Sequence, residues 1–156
     1  MSIDIENSIR AQKAMDLFTE GYNCSQAVFL AFEDLYDIDA RTALKLSSSF
    51  GAGMGRLREV CGSVTGMFMV AGLLYGYDDP KAGAEKKEHY SRIQKLAEEF
   101  QRENGYIVCR DLLGLSAGKD KPTPQVRTAE YYKKRPCREL VGMSAAIMEK
   151  YILAEG

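Results

Sequence analysis

Four cysteines, Cys24, Cys61, Cys109 and Cys137, are the side chains of this sequence with the clearest capacity for chemistry. A thiolate attacks disulfides and binds soft metals, whereas a thiol kept protonated in apolar surroundings is inert. The four stand far apart in the chain and form no Cys-x-x-Cys pair, so neither a zinc knuckle nor a thioredoxin-type motif is present. Each nevertheless falls near the expected start of a helix. Cys24 follows Asn23, which with Gln26 three residues on has the form of a capping box, and Cys137 follows Pro136 at an expected first turn. Free backbone N–H groups and the positive end of the helix dipole lower a thiol pKa at such places. The bland alternative is four small buried hydrophobes with no shared role.

The remaining catalytic options are few. Histidine occurs once, at His89, so a Ser–His–Asp hydrolase has little support. With no second histidine to pair with, His89 reads as a rim or surface residue rather than a ligand. Among 22 acidic residues no carboxylate pair stands out for acid–base work. A net charge of −1 with no Lys/Arg stripe argues against a nucleic-acid partner. The first residues, Met-Ser-Ile-Asp-Ile-Glu-Asn, lack the basic and apolar regions of a secretory signal, so a cytoplasmic location is expected. Thiols stay reduced there, which favours catalytic, metal-binding or packing cysteines over structural disulfides.

The element that must position the cysteines is the stretch over residues 59–77. It is uncharged from Val60 to Tyr77, begins at Cys61, and carries Gly62/Gly66 and Gly72/Gly76 at helical spacing. Such a stripe lets another backbone approach closely, and the stretch reads as a buried central helix with something packed near Cys61. Its length and its Gly, Ser, Thr and Cys content argue against a membrane span. Around it the spacing predicts helices over 5–20, 23–35, 39–46, 79–104, a short turn at Cys109 closed by Gly114, a small helix over 128–134, and a last helix from Pro136 with Leu140, Met143, Ile147 and Tyr151 on one face. Tyr90, Ile93, Ala97 and Phe100 form the expected apolar stripe of the long helix. Residues 51–59 are the most glycine-dense stretch and read as a tight connection; were an anion bound there, Arg56 and Arg58 would meet it. Residues 115–125 read as the one extended loop. No segment alternates with period two. The fold class expected over 1–156 is all-α, one helical bundle in one domain.

The residues Tyr22-Asn23-Cys24-Ser25-Gln26-Ala27, then Phe50-Gly51-Ala52-Gly53-Met54-Gly55, then Glu59-Val60-Cys61-Gly62-Ser63-Val64-Thr65-Gly66, followed by single cysteines at 109 and 137, resemble the family of putative redox-active proteins named for its C_GCAxxG_C_C pattern. The likeness runs from about residue 10 to residue 145. One departure is visible, since Ser63 stands where the family motif has alanine. The resemblance implies a redox role carried by the four cysteines.

Three functions follow as expectations. In the first, Cys24, Cys61, Cys109 and Cys137 are catalytic and cycle between dithiol and disulfide with a redox partner that the sequence leaves unknown. In the second, the same four ligate a metal, an iron–sulfur cluster above all. In the third, the glycine stripe and seven methionines serve helix–helix contact, across a homodimer for instance, and the cysteines only pack. Membrane insertion is not expected.

Overall fold

The sequence folds around α5 (Gly62–Tyr75), the apolar stretch singled out above, in a computed structural model that describes residues 3–115 and 119–155. Two helices lie directly on it, α2 (Cys24–Leu30) and α9 (Cys137–Glu155), and α1 (Ile9–Thr19) covers both of these. The long α6 (Gly83–Asn104) packs across α5 and α9, and α3 (Ala40–Ser48) packs on α2. A 3-10 turn (Glu33–Leu35) and the short α4 (Gly51–Met54), α7 (Cys109–Leu112) and α8 (Ala129–Lys134) complete the chain. The fold is all-α. Among the described residues no helix is long and apolar enough to cross a membrane.

The glycine stripe of α5 works on its first half only. A Cβ at Gly66 would stand 2.8 Å from the Ser25 carbonyl oxygen and 3.1 Å from Val28 Cβ, so this glycine lets α2 lie against α5. A Cβ at Gly72 would meet nothing within 4 Å, and Gly76 caps the helix end. The core between these helices is filled by Phe18, Phe29, Phe32, Met67, Phe100 and Ile147, each at most 2% exposed.

Local signals place most helix ends. Asn23 Oδ1 accepts from Gln26 N at 2.9 Å, and Gln26 Oε1 accepts from Asn23 N at 3.0 Å, completing the capping box at the start of α2. Thr128 caps α8, and Gly105 at φ 90° closes α6. Asp79-Pro80 does not start α6. Asp79 Oδ1 instead accepts from Lys81 N at 2.9 Å in a turn of its own, and the helix begins at Gly83. Tyr90, expected on the buried stripe of α6, is 53% exposed; His89, expected at the rim, is buried. The buried stripe is His89, Leu96 and Phe100, one residue out of register at its start. The His89 ring meets Arg92 Nη1 at 2.9 Å through Nδ1, and burial with that guanidinium holds its pKa below the ordinary value. The extended loop expected over 115–125 includes residues 116–118, which lie outside the described residues.

Candidate functional site

All four cysteines occupy helix starts. Cys24 is the first residue of α2, Cys61 the cap of α5, Cys109 the first residue of α7 and Cys137 the first residue of α9. Those four helix ends point at one place, because Cys24, Cys61, Cys109 and Cys137 line a single cavity of about 430 Å³.

Two of them are joined by backbone pairing that no periodicity announces. Val60 and Val108 form an isolated antiparallel bridge, with Cys61 N donating to the Ile107 carbonyl at 2.8 Å and Cys109 N donating to the Glu59 carbonyl at 2.6 Å. This bridge brings the residue after Val60 and the residue after Val108 to the same cavity, across 48 positions of chain (108 minus 60).

The third wall is residues 51–58, where the backbone is left-handed. Ala52, Gly53, Met54, Gly55, Arg56 and Arg58 all have φ between 56° and 69°. Phe50 and Gly51 carbonyls accept from Met54 N at 3.2 Å and Gly55 N at 2.9 Å, so the turn is hydrogen-bonded in spite of its hand. Each non-glycine residue held this way costs on the order of 1–2 kcal/mol, and such strain survives where surrounding contacts over-determine it. Gly53 has no alternative, since a Cβ there would stand 2.7 Å from both Arg58 Cα and Cys109 Cβ. Gly62 is equally constrained by the thiol opposite, with a Cβ falling 2.4 Å from Cys24 Sγ and 2.8 Å from the Phe50 carbonyl oxygen.

The expectation that helix starts lower these thiol pKa values is not met for three of them. Burial pushes Cys24 up, with an N–H from Ala52 pulling weakly the other way. Burial also drives Cys61 strongly up, helped by its neighbour Cys24 and opposed by a 3.1 Å contact between its Sγ and Ser63 Oγ. Cys137 is pushed up to about 12, again by burial first and by Cys24 and Cys109 next, against the positive charge of Arg135. Desolvation of a thiolate outweighs a helix end whose dipole acts only over one turn.

Cys109 has a different companion. Arg58 Nη1 lies 3.5 Å from its Sγ, and Arg58 Nη2 donates to Asp120 Oδ2 at 3.0 Å. The Arg58 residue is 4% exposed, and its Nε has no hydrogen-bond partner among the described residues. Burial disfavours its charge, but Cys109 and Asp120 together raise its pKa, so it remains a buried cation facing a thiol. The sequence offered one hint of this, an arginine in the glycine-dense connection before α5, and no hint of its burial. Among the described residues no three His, Cys, Asp or Glu side chains are arranged to hold one metal ion. His89 lies away from the cavity, on α6.

A family described as "Putative redox-active protein (C_GCAxxG_C_C)" matches residues 22–151, which take in all four cysteines, the left-handed turn and Arg58. The chain belongs to this family. The matched range begins at Tyr22 rather than near residue 10, leaving all of α1 outside, and extends to Tyr151 near the end of α9. No curated protein and no solved structure matches the chain. Within the matched range, Gly62 directly after Cys61 is the residue whose missing side chain admits the Cys24 sulfur.

Proposed function

We propose that this family member is a thiol–disulfide redox protein whose chemistry takes place in the four-cysteine cavity. The observation that carries the reading is that four cysteines, dispersed over 114 positions of chain (137 minus 24, counting both), line one cavity beside a buried arginine. Independent packing residues have no reason to share a cavity.

Environment distinguishes roles within the set. Cys109 is the attacking thiol, because it is the cysteine whose sulfur a buried guanidinium touches, 3.5 Å away. Cys61, by contrast, is 7% exposed and burial holds its thiol protonated. Cys24 is the central partner, since it lies near enough to Cys61, Cys137 and Cys109 for ionisation at one to be opposed by the other. The oxidised form then carries a disulfide that includes Cys24.

The test is a free-thiol count on the folded, reduced protein before and after a mild oxidant, with disulfides mapped by mass spectrometry. Thiols lost reversibly in pairs, with Cys24 in the first disulfide, support the reading. Four thiols that persist while the fold is intact would sink it.

A bound iron–sulfur cluster is the second reading, favoured by four soft thiol donors around one cavity. The donors do not converge on a single ion, and a cluster, whose irons spread the ligand positions, suits separated thiols better. Such a group would supply one-electron transfer. Protein purified without oxygen decides between the two: iron, sulfide and visible absorption favour the cluster, and a colourless metal-free protein favours the dithiol.

A further inference from the structure

The walls of the cysteine cavity hold a charge pattern that thiol exchange alone does not require. Arg56, Arg58, Arg127 and Arg135 all line it, and among the described residues no aspartate or glutamate does. One carboxylate, Asp120, serves two of these cations, with Oδ2 accepting from Arg56 Nη2 at 2.9 Å and from Arg58 Nη2 at 3.0 Å. The other two meet only neutral groups among the described residues. Arg127 donates to the carbonyls of Phe18 and Tyr22 and lies 4.0 Å over the Phe18 ring, and Arg135 donates to Gln125 Oε1 at 3.1 Å. Nε of Arg58, itself a lining residue, has no hydrogen-bond partner among the described residues.

Access points the same way. Cys61 and Cys109 are 7% and 6% exposed and line a cavity of about 430 Å³ whose wall also includes Leu112, Pro124 and Leu140. A disulfide held in a folded protein cannot reach these sulfurs without local unfolding, whereas a small molecule with an apolar body fits.

Resting on the thiol–disulfide reading above, we propose that the substrate is a small disulfide bearing negative charge, held by these arginines, rather than a protein disulfide. The Cys109 thiolate attacks one sulfur of the small disulfide, whose S–S bond breaks and releases one small thiolate. Cys24 then loses its proton and attacks the mixed disulfide at Cys109, releasing the second small thiolate. Two electrons pass from the protein to the small molecule, the Cys24–Cys109 bond forms, and the two protons of the protein thiols end on the two small thiols.

The test uses the reduced full chain and three small disulfides that differ in charge: dithiodipropionate with two carboxylates, neutral hydroxyethyl disulfide, and cystamine with two ammonium groups. Each rate of protein-thiol loss is divided by the rate of the same disulfide with dithiothreitol, which removes differences in intrinsic reactivity. The expected order places the dianion first, ahead of cystamine by about tenfold or more, the scale that focusing in a charged cleft supplies. Added salt lowers that ratio. Arg135→Gln and Arg56→Gln, tested separately so that a poorly folding variant does not decide the matter, each lower it as well. Equal normalised rates for the three disulfides, or cystamine fastest, overturn the anionic substrate while leaving thiol exchange standing. A folded protein disulfide that reacts faster than dithiodipropionate overturns it too. No oxidation by any of them removes the thiol reading and this inference together.

Discussion

Alanine at Gly62 is the perturbation that separates what α5 does from what its sequence suggests. The new Cβ would fall 2.4 Å from Cys24 Sγ, 2.8 Å from the Phe50 carbonyl oxygen and 3.2 Å from Gly51 Cα. The sulfur can turn aside, but the other two atoms are backbone, so the start of α5 must move. Overpacking of this kind costs about 1–3 kcal/mol. Helix propensity returns at most about 1 kcal/mol, and less at a first helical residue. The net loss is about 1–2 kcal/mol, which in a chain of 156 residues lowers Tm by roughly 2 to 8 °C. Gly72→Ala is the control. It lies in the same helix with nothing within 4 Å of its Cβ and should gain about 0.5–1 kcal/mol. Thermal and urea unfolding of the reduced proteins, with thiol-labelling rates at Cys24, check both. Equal stability of Gly62→Ala and wild type, or equal losses from the two substitutions, would refute the packing argument.

Three further outcomes follow from the geometry. Arg58→Gln removes the cation beside Cys109, and site-resolved alkylation should show Cys109 slowed at neutral pH more than Cys24 or Cys137; unchanged relative rates would show that the guanidinium does not activate it. Ser144 Oγ donates to Ser63 Oγ at 3.1 Å in a buried pair, so Ser63→Ala strands the Ser144 hydroxyl and costs about 1–3 kcal/mol, while the double Ser63→Ala/Ser144→Ala change recovers part of that loss; additive losses in urea unfolding would count against the pairing. The raised thiol pKa of Cys137, about 12 against an ordinary 9, makes stability depend on alkali with a fixed sign. The unfolded chain loses that proton first, so the contribution is whole below about pH 9 and is lost as pH rises towards about 12, with Cys24 and Cys61 adding in the same direction. Urea midpoints of reduced protein should fall between pH 9 and 11, and less so in Cys137→Ala; identical slopes would show that Cys137 is not protonated by burial.

What the sequence revealed of the site was local. The Asn23/Gln26 capping box and Pro136 each announce a helix start through neighbours within three residues, and all four cysteines stand at helix starts. The gathering of those starts was not legible, because it depends on a bridge between Val60 and Val108 and on a left-handed run that non-glycine residues rarely adopt. Asp79-Pro80 shows the limit of a local signal: the same aspartate that can cap a helix can close a turn, and Lys81 N took it. His89 was misplaced for a related reason. The lack of a second histidine suggested a rim position, but one turn along α6 Arg92 supplies a partly buried partner of another kind.

The chemistry of the cavity comes from two opposing effects of the same architecture. Bringing four helix starts together gives the sulfurs N–H groups and dipole ends, which favour thiolate, but it also removes them from water, which disfavours thiolate more. Had the helix ends prevailed, four thiolates would repel one another in a small cavity, and the fold would carry that repulsion at neutral pH. Burial holds Cys24, Cys61 and Cys137 protonated, so the set can be packed closely. An arginine is set opposite one sulfur, and on the thiol–disulfide reading proposed above it selects which thiol reacts. The strained backbone of residues 51–58 has a physical reason on this view, because it is the segment that carries Arg58 under Cys109 and passes the Ala52 N–H to Cys24. Relaxing that run would free several kcal/mol of strain and would remove the asymmetry that makes one cysteine different from the other three.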